Sequence, residues 1–180
     1  MSHVPSDVDF LQSRYAIARN KYKPAQLGTL LIAEAPPCDL DRYFYFEEVP
    51  KQDSLFLEIM GVLYPELKAA YLASKRDPAL KAELLEHFQS DGYWLMDLSE
   101  VPHELTGGNP EDSLPGLLER LKKVADKKTN IILIKSNVYD CCYPALKELG
   151  YQVSNERIPF PGSGQQGVFR ERFGRALRKG

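Results

Sequence analysis

Leu30-Leu31-Ile32-Ala33-Glu34-Ala35-Pro36-Pro37 is the stretch on which the fold turns. Its first four residues form a short apolar run, the pattern of a strand buried on both faces. Glu34 then sets a carboxylate at the strand end, where burial is costly unless the acid is paired, hydrogen-bonded or used. Pro36 and Pro37 forbid an immediate helix, so the strand must leave through a loop. Two later stretches repeat this design. Tyr93-Trp94-Leu95-Met96-Asp97-Leu98 is apolar with one acid near its end, and Ile131-Ile132-Leu133-Ile134 runs into Lys135-Ser136-Asn137. Tyr151-Gln152-Val153 with Arg157-Ile158 forms a fourth strand region.

Helical patterns separate these strands. The first is expected from Ser6, its cap, to Tyr22, ahead of Pro24. Ser54 caps a second, with Phe56, Ile59, Met60 and Leu63 on one face and an interruption at Pro65. Asp77-Pro78 starts a third, striped by Leu80, Leu84, Leu85 and Phe88 and closed by Gly92. A polar loop through Thr106-Gly107-Gly108-Asn109-Pro110 leads to a helix over Ser113 to Lys127. Asn137 caps the next helix, which carries Pro144 and ends at Gly150, and the last runs from Val168 to Arg178.

Strands therefore alternate with helices four times, and three of the strands are continuous apolar runs. That pattern predicts an α/β chain, a three-layer α/β/α domain around a central four-stranded parallel sheet. The expected organisation is a single domain over residues 1–180, with 1–26 as an N-terminal helical extension. Ligands of such sheets bind beyond the carboxyl ends of the strands, near the point where strand order reverses. Glu34, Asp97, Lys135 and the loop Pro161-Gly162-Ser163-Gly164-Gln165-Gln166-Gly167 all fall on that edge.

Composition narrows the class. The 180 residues, 43% hydrophobic and 27% charged, suit one globular domain with a real core. A net charge of -2 makes no global case for nucleic acid, although a local basic patch suffices for that. No leader is visible at Met1-Ser2-His3-Val4-Pro5, and no apolar run approaches the roughly 18 residues of a membrane span. Cys38, Cys141 and Cys142 are odd in number and lack a C-x-x-C spacing, which suits reduced thiols in a cytoplasmic protein. His3, His87 and His103 form no metal-ligand spacing and no nucleophile pair, so neither metal nor cofactor is expected.

Each candidate site residue has two readings. Glu34 is either a general base or cation stabiliser, or a structural acid paired with Lys135 or Arg42. Tyr43-Phe44-Tyr45-Phe46 are too many aromatics for one buried face. Phe44, Tyr45 and Phe46 either offer a nucleobase a flat surface, worth about 1–3 kcal/mol per stacked base, or plug the end of the sheet. Asp97 accepts hydrogen bonds from a ligand or caps the following turn. Ser163, Gly164 and Gln165, with Lys135, either hold a phosphate at the head of the last helix or belong to a solvated basic tail containing Arg170, Arg172, Arg175, Arg178 and Lys179.

Ala33-Glu34-Ala35-Pro36-Pro37 resembles the first motif of the uracil-DNA glycosylase-like superfamily, G-E-A-P-G in its thermostable branch. The resemblance covers about Leu27 to Leu177 and implies a sheet ordered 2-1-3-4. It also implies that Glu34 positions water, that Phe46 or Phe44 stacks on a flipped base, and that Asp97 stands at the base-reading asparagine. Ile158-Pro159-Phe160-Pro161-Gly162-Ser163 resembles the H-P-S-P-like second motif. Three departures accompany it. Ile158 or Pro159 stands where the histidine is expected, the iron–sulphur cysteines are missing, and Asp97 replaces asparagine. An ionised carboxylate only accepts, which suits the exocyclic amine of cytosine or adenine better than O4 of uracil. The implied activity is hydrolysis of an N-glycosidic bond, on a modified base in flipped or single-stranded DNA or on a nucleoside. The alternative is a non-catalytic nucleic-acid or nucleotide-binding protein on the same fold. The implied partner is DNA or a small molecule containing a nucleobase.

Overall fold

A computed structural model describes residues 7–38, 40–106, 109–162 and 164–179. Strands β1 (Thr29–Ala33), β2 (Tyr93–Asp97), β3 (Asn130–Leu133) and β4 (Gln152–Val153) form one parallel sheet ordered β2-β1-β3-β4. Leu31 pairs with Leu95 on one side and Ile132 on the other. A single bridge from Ile134 to Ile158 extends the contact beyond β4. Leu30, Leu31, Ile32 and Leu133 are fully buried, which is why these strands are apolar without alternation.

The helices are α1 (Asp7–Lys21), α2 (Ser54–Leu63), α3 (Pro65–Ala73), α4 (Pro78–Ser90), α5 (His103–Thr106), α6 (Pro110–Val124), α7 (Ser136–Glu148) and α8 (Gln166–Lys179). The connection from β1 to β2, carrying α2 to α4, steps one way across the sheet. Those from β2 to β3 and β3 to β4, carrying α6 and α7, step the other way. Parallel crossovers are right-handed, so the two groups cover opposite faces. α8 contacts α2, and α6 contacts α7, completing three layers. The direction changes between β1 and β3, which fixes the switch point there.

Several boundaries differ from the sequence expectation. Asp53, not Ser54, caps α2, accepting the Phe56 N–H at 3.3 Å. Pro65 separates two helices that share Tyr64 as a cap. α6 starts at Pro110 rather than Ser113, because the Asp112 carboxylate accepts the Asn109 N–H at 3.2 Å and closes its first turn. Lys135 stands at the cap position of α7, so Asn137 lies inside the first turn. α5 is a short helix within a stretch that reads as loop. The expected cap Ser6, the glycines Gly107 and Gly108, and Ser163 lie outside the described residues.

α1 attaches through the buried Tyr15 ring, with Leu11 and Ala18 packed on the core, and through polar contacts. The Tyr15 hydroxyl donates to the Pro37 carbonyl, Gln12 Nε2 donates to Glu100 at 2.6 Å, and Trp94 Nε1 donates to the Arg19 carbonyl at 3.0 Å. It thereby grips the loops that leave β1 and β2. Among the described residues no helix is long and apolar enough to cross a membrane.

Candidate functional site

Glu34 follows β1 and Lys135 follows β3, the two strands flanking the switch point. Their side chains meet in an ion pair between Lys135 Nζ and Glu34 Oε2. Of the two partners open to Glu34 on the sequence, Lys135 is the one that holds it. Lys135 also has φ of 85°, a backbone region costly for any residue with a Cβ. The conformation is held by its N–H, donated to the Ile158 carbonyl at 2.9 Å, and by its carbonyl, which accepts the Tyr139 N–H at 3.1 Å.

The pair lines a cavity of about 420 Å³ that also admits Phe44, Asp53, Asp97 and Phe160. That volume lies within the range of small-molecule sites. Asp97, at the end of β2, is 5% exposed. Burial pushes its carboxyl up to about 7, against the charges of Arg19 and Arg120. Arg120 frames the strand end by donating to the carbonyls of Asp97 and Leu98, each at 2.8 Å, while its Nε pairs with Glu100 at 2.9 Å. A group poised near neutrality exists in both forms, so Asp97 donates as well as accepts. The sequence expectation of an accept-only carboxylate therefore applies only above about pH 7.

Asp53 enters the same wall from the start of α2. One of its oxygens caps the helix, while Oδ2 is buried with no hydrogen-bond partner. Burial raises its carboxyl to about 6, opposed chiefly by Lys81. Lys81 is fully buried on α4, donates to the Tyr43 carbonyl at 3.3 Å and lies 4.5 Å from the centre of the Phe56 ring. Burial lowers its ammonium to about 8, with Asp53 pulling the other way. Among the described residues no cluster of His, Cys, Asp and Glu is arranged to hold a metal ion.

The aromatic run divides. Phe44 reaches the cavity wall, backed by Phe56 at 5.3 Å and Phe88 at 5.6 Å between ring centres. Tyr45 and Phe46, expected beside it, do not line the cavity. Tyr45 is fully buried, and its hydroxyl both donates to the Leu95 carbonyl and accepts the Leu95 N–H, each at 2.7 Å. Phe46 packs on Tyr15 at 5.8 Å and lies beneath the Arg14 guanidinium at 5.7 Å. α1 supplies these partners, and a run of four neighbouring side chains cannot all point one way.

Of the expected phosphate group, Gln165 and Lys135 line a second cavity of about 690 Å³ with Asn137, Arg157 and Arg172. Gly164 does not line it. Its cations are partly engaged: Arg157 grips Asp140 at 2.9 and 2.8 Å, and Arg172 donates to the Arg157 carbonyl at 2.7 Å. Lys135 and Phe160 border both cavities.

The sequence reading passed over Asp53, Lys81 and Phe160. Lys81 had a signal, since positions 81, 84, 85 and 88 have the spacing of one helix face and are the buried residues of α4. Phe160, 43% exposed, lies between Pro159 and Pro161, where no regular element can bury it. Comparison of the chain with protein-family models, curated proteins and solved structures gives no match.

Proposed function

We propose that the chain hydrolyses an N-glycosidic bond, with the base ring in the first cavity and the attached phosphate toward the second. The observation that carries this reading is the Glu34–Lys135 pair at the switch point, lining one cavity with Asp97 and Phe44. In the proposed reaction Lys135 fixes one oxygen of Glu34, and the other orients water against the anomeric carbon and takes its proton. The C1′–N bond breaks with its electron pair going to the base, while Glu34 stabilises positive charge on the sugar. Asp97 addresses the base edge, donating below about pH 7 and accepting above it. Phe44 and the exposed Phe160 supply ring faces.

The test is a screen of wild type and Glu34→Gln. Substrates are single-stranded and duplex oligonucleotides carrying uracil, hypoxanthine, xanthine or alkylated bases, and the corresponding nucleosides. Chromatography measures released base. Glu34→Gln is expected to lower release by about 10²–10⁴-fold, the span typical of general acid–base groups. Absence of release from every substrate by wild type would end the hydrolase reading.

A non-catalytic binding protein is the second reading, favoured by the same ion pair, which satisfies Glu34 without any reaction. It requires ligand binding that persists in Glu34→Gln with no turnover in wild type. Binding to a nucleic-acid polymer would weaken steeply with salt, whereas nucleoside binding would not.

A further inference from the structure

Lys135 and Phe160 border both cavities, and Lys135 brings a nucleophile to their junction. Its Nζ lies against Glu34 Oε2, and its side chain, 41% exposed against 17% for Glu34, is the more open member of the pair. An ion pair alone does not call for lysine at this position. Arginine holds a carboxylate through two parallel N–H donors, which lysine cannot do. Lysine is also a poor cap for α7. It makes no side-chain cap hydrogen bond, sets a cation at the positive end of the helix and adopts φ of 85°. What lysine has and arginine lacks is an amine that can lose its proton and attack a carbonyl carbon. A nucleophile and a base in hydrogen-bond contact are the structural mark of such an attack, and Glu34 stands in the place of the base.

We propose that Lys135 captures the aldehyde of a sugar phosphate as an imine, with Glu34 carrying the protons. The choice of a sugar rests on the hydrolase reading. With the base in the first cavity and the phosphate toward the second, the sugar lies between them, where Lys135 stands.

Release of the base leaves a hydroxyl on C1′, and the sugar ring opens to an aldehyde at that carbon. Glu34 takes a proton from the Lys135 ammonium. The freed nitrogen pair bonds to C1′ while the carbonyl π pair moves to oxygen. That oxygen receives two protons from the nitrogen by way of Glu34 and leaves as water, and the C=N bond forms. One ammonium and one aldehyde thus give one iminium and one water, and Glu34 ends ionised as it began. The step needs neither oxidant nor reductant. Water reverses it, so the sugar is held and later released.

Two probes carry the aldehyde without any base: an oligonucleotide with one abasic residue, and 2-deoxyribose 5-phosphate. Each is incubated at neutral pH with the full chain and sodium cyanoborohydride, which reduces an imine to a stable secondary amine. Mass spectrometry of the intact protein reads the adduct, and peptide mapping locates it. Wild type is expected to carry one adduct, on Lys135. Lys135→Arg keeps a cation for Glu34 and should lose the adduct. Glu34→Gln leaves the amine a hydrogen-bond partner that cannot take its proton, and should form the adduct more slowly. Trapping of the oligonucleotide alone assigns the aldehyde to a polymer, and trapping of the sugar phosphate alone assigns it to a free sugar; either supports the capture. No adduct with either probe, or adducts spread over other lysines without preference for Lys135, overturns the proposal. So does an unchanged yield in Lys135→Arg, or an unchanged or faster rate in Glu34→Gln. Mapping of wild type decides even where a variant does not fold. The aldehyde is supplied ready-made, so failure here and failure of the hydrolase reading are separate. Base release without an adduct would keep the hydrolase and remove the capture. An adduct on Lys135 with no base released from any substrate would do the reverse.

Discussion

Asp97→Asn should stabilise the protein, and by an amount that grows with pH. The wild-type carboxyl titrates near 3.8 in the unfolded chain and at about 7 in the folded one, because burial disfavours its charge. Between those values the folded chain holds a proton that the unfolded chain has released. Stability therefore falls as pH rises through this window. At about 1.36 kcal/mol per pH unit, the full cost approaches about 4 kcal/mol above pH 7. At pH 5 the same linkage gives only about 2 kcal/mol. Asparagine has the same shape and no charge to bury, so its advantage over wild type should be about 2–3 kcal/mol larger at pH 8 than at pH 5. Asp53 and Lys81 are present in both proteins, and their own titrations largely cancel in the difference. Urea unfolding followed by the fluorescence of Trp94, the single tryptophan, measures both midpoints. An advantage independent of pH, or one larger at pH 5 than at pH 8, would refute a buried Asp97 titrating near neutrality.

Substitutions at two further positions test the frame around the site. Lys135→Gly should be more stable than Lys135→Ala by about 1 kcal/mol, because glycine tolerates φ of 85° while alanine keeps the strain; urea melts giving the reverse order would contradict it. Tyr45→Phe leaves the Leu95 N–H and carbonyl without the hydroxyl between them and should cost about 2–3 kcal/mol. Hydrogen exchange at the Leu95 amide should quicken in the same variant, and an unchanged rate would contradict the assigned bond.

The fold was legible because its signals are local. Leu30–Ala33 and Ile131–Ile134 are apolar runs bounded by loops, and Asp77-Pro78 and Pro65 act on the residues next to them. The carboxyl-edge placement of Glu34, Asp97 and Lys135 followed from chain order alone. What stayed hidden depends on distant partners. Nothing near Tyr45 announces Leu95 or Tyr22, and nothing near Phe46 announces Tyr15 and Arg14. Asp53 directly precedes Ser54, the residue expected as the cap of α2, and nothing local sets it apart. Its unmet oxygen exists only once Lys81 and α2 close around it. The pH behaviour of Asp97 was likewise invisible, since it arises from burial and not from residue type.

The tyrosine hydroxyl at Leu95 has a consequence outside the site. β2 lies at one margin of the sheet, and its outward N–H and carbonyl groups are what a strand from another molecule would need for pairing. Tyr45 takes both groups of Leu95, and Arg120 takes the Asp97 carbonyl. The opposite margin, β4, is only two residues long. The pairing surface is thus interrupted in the middle of β2 and short at β4. The Tyr45 ring, buried too deeply to touch a ligand, acts as a guard against sheet growth and the aggregation that follows from it.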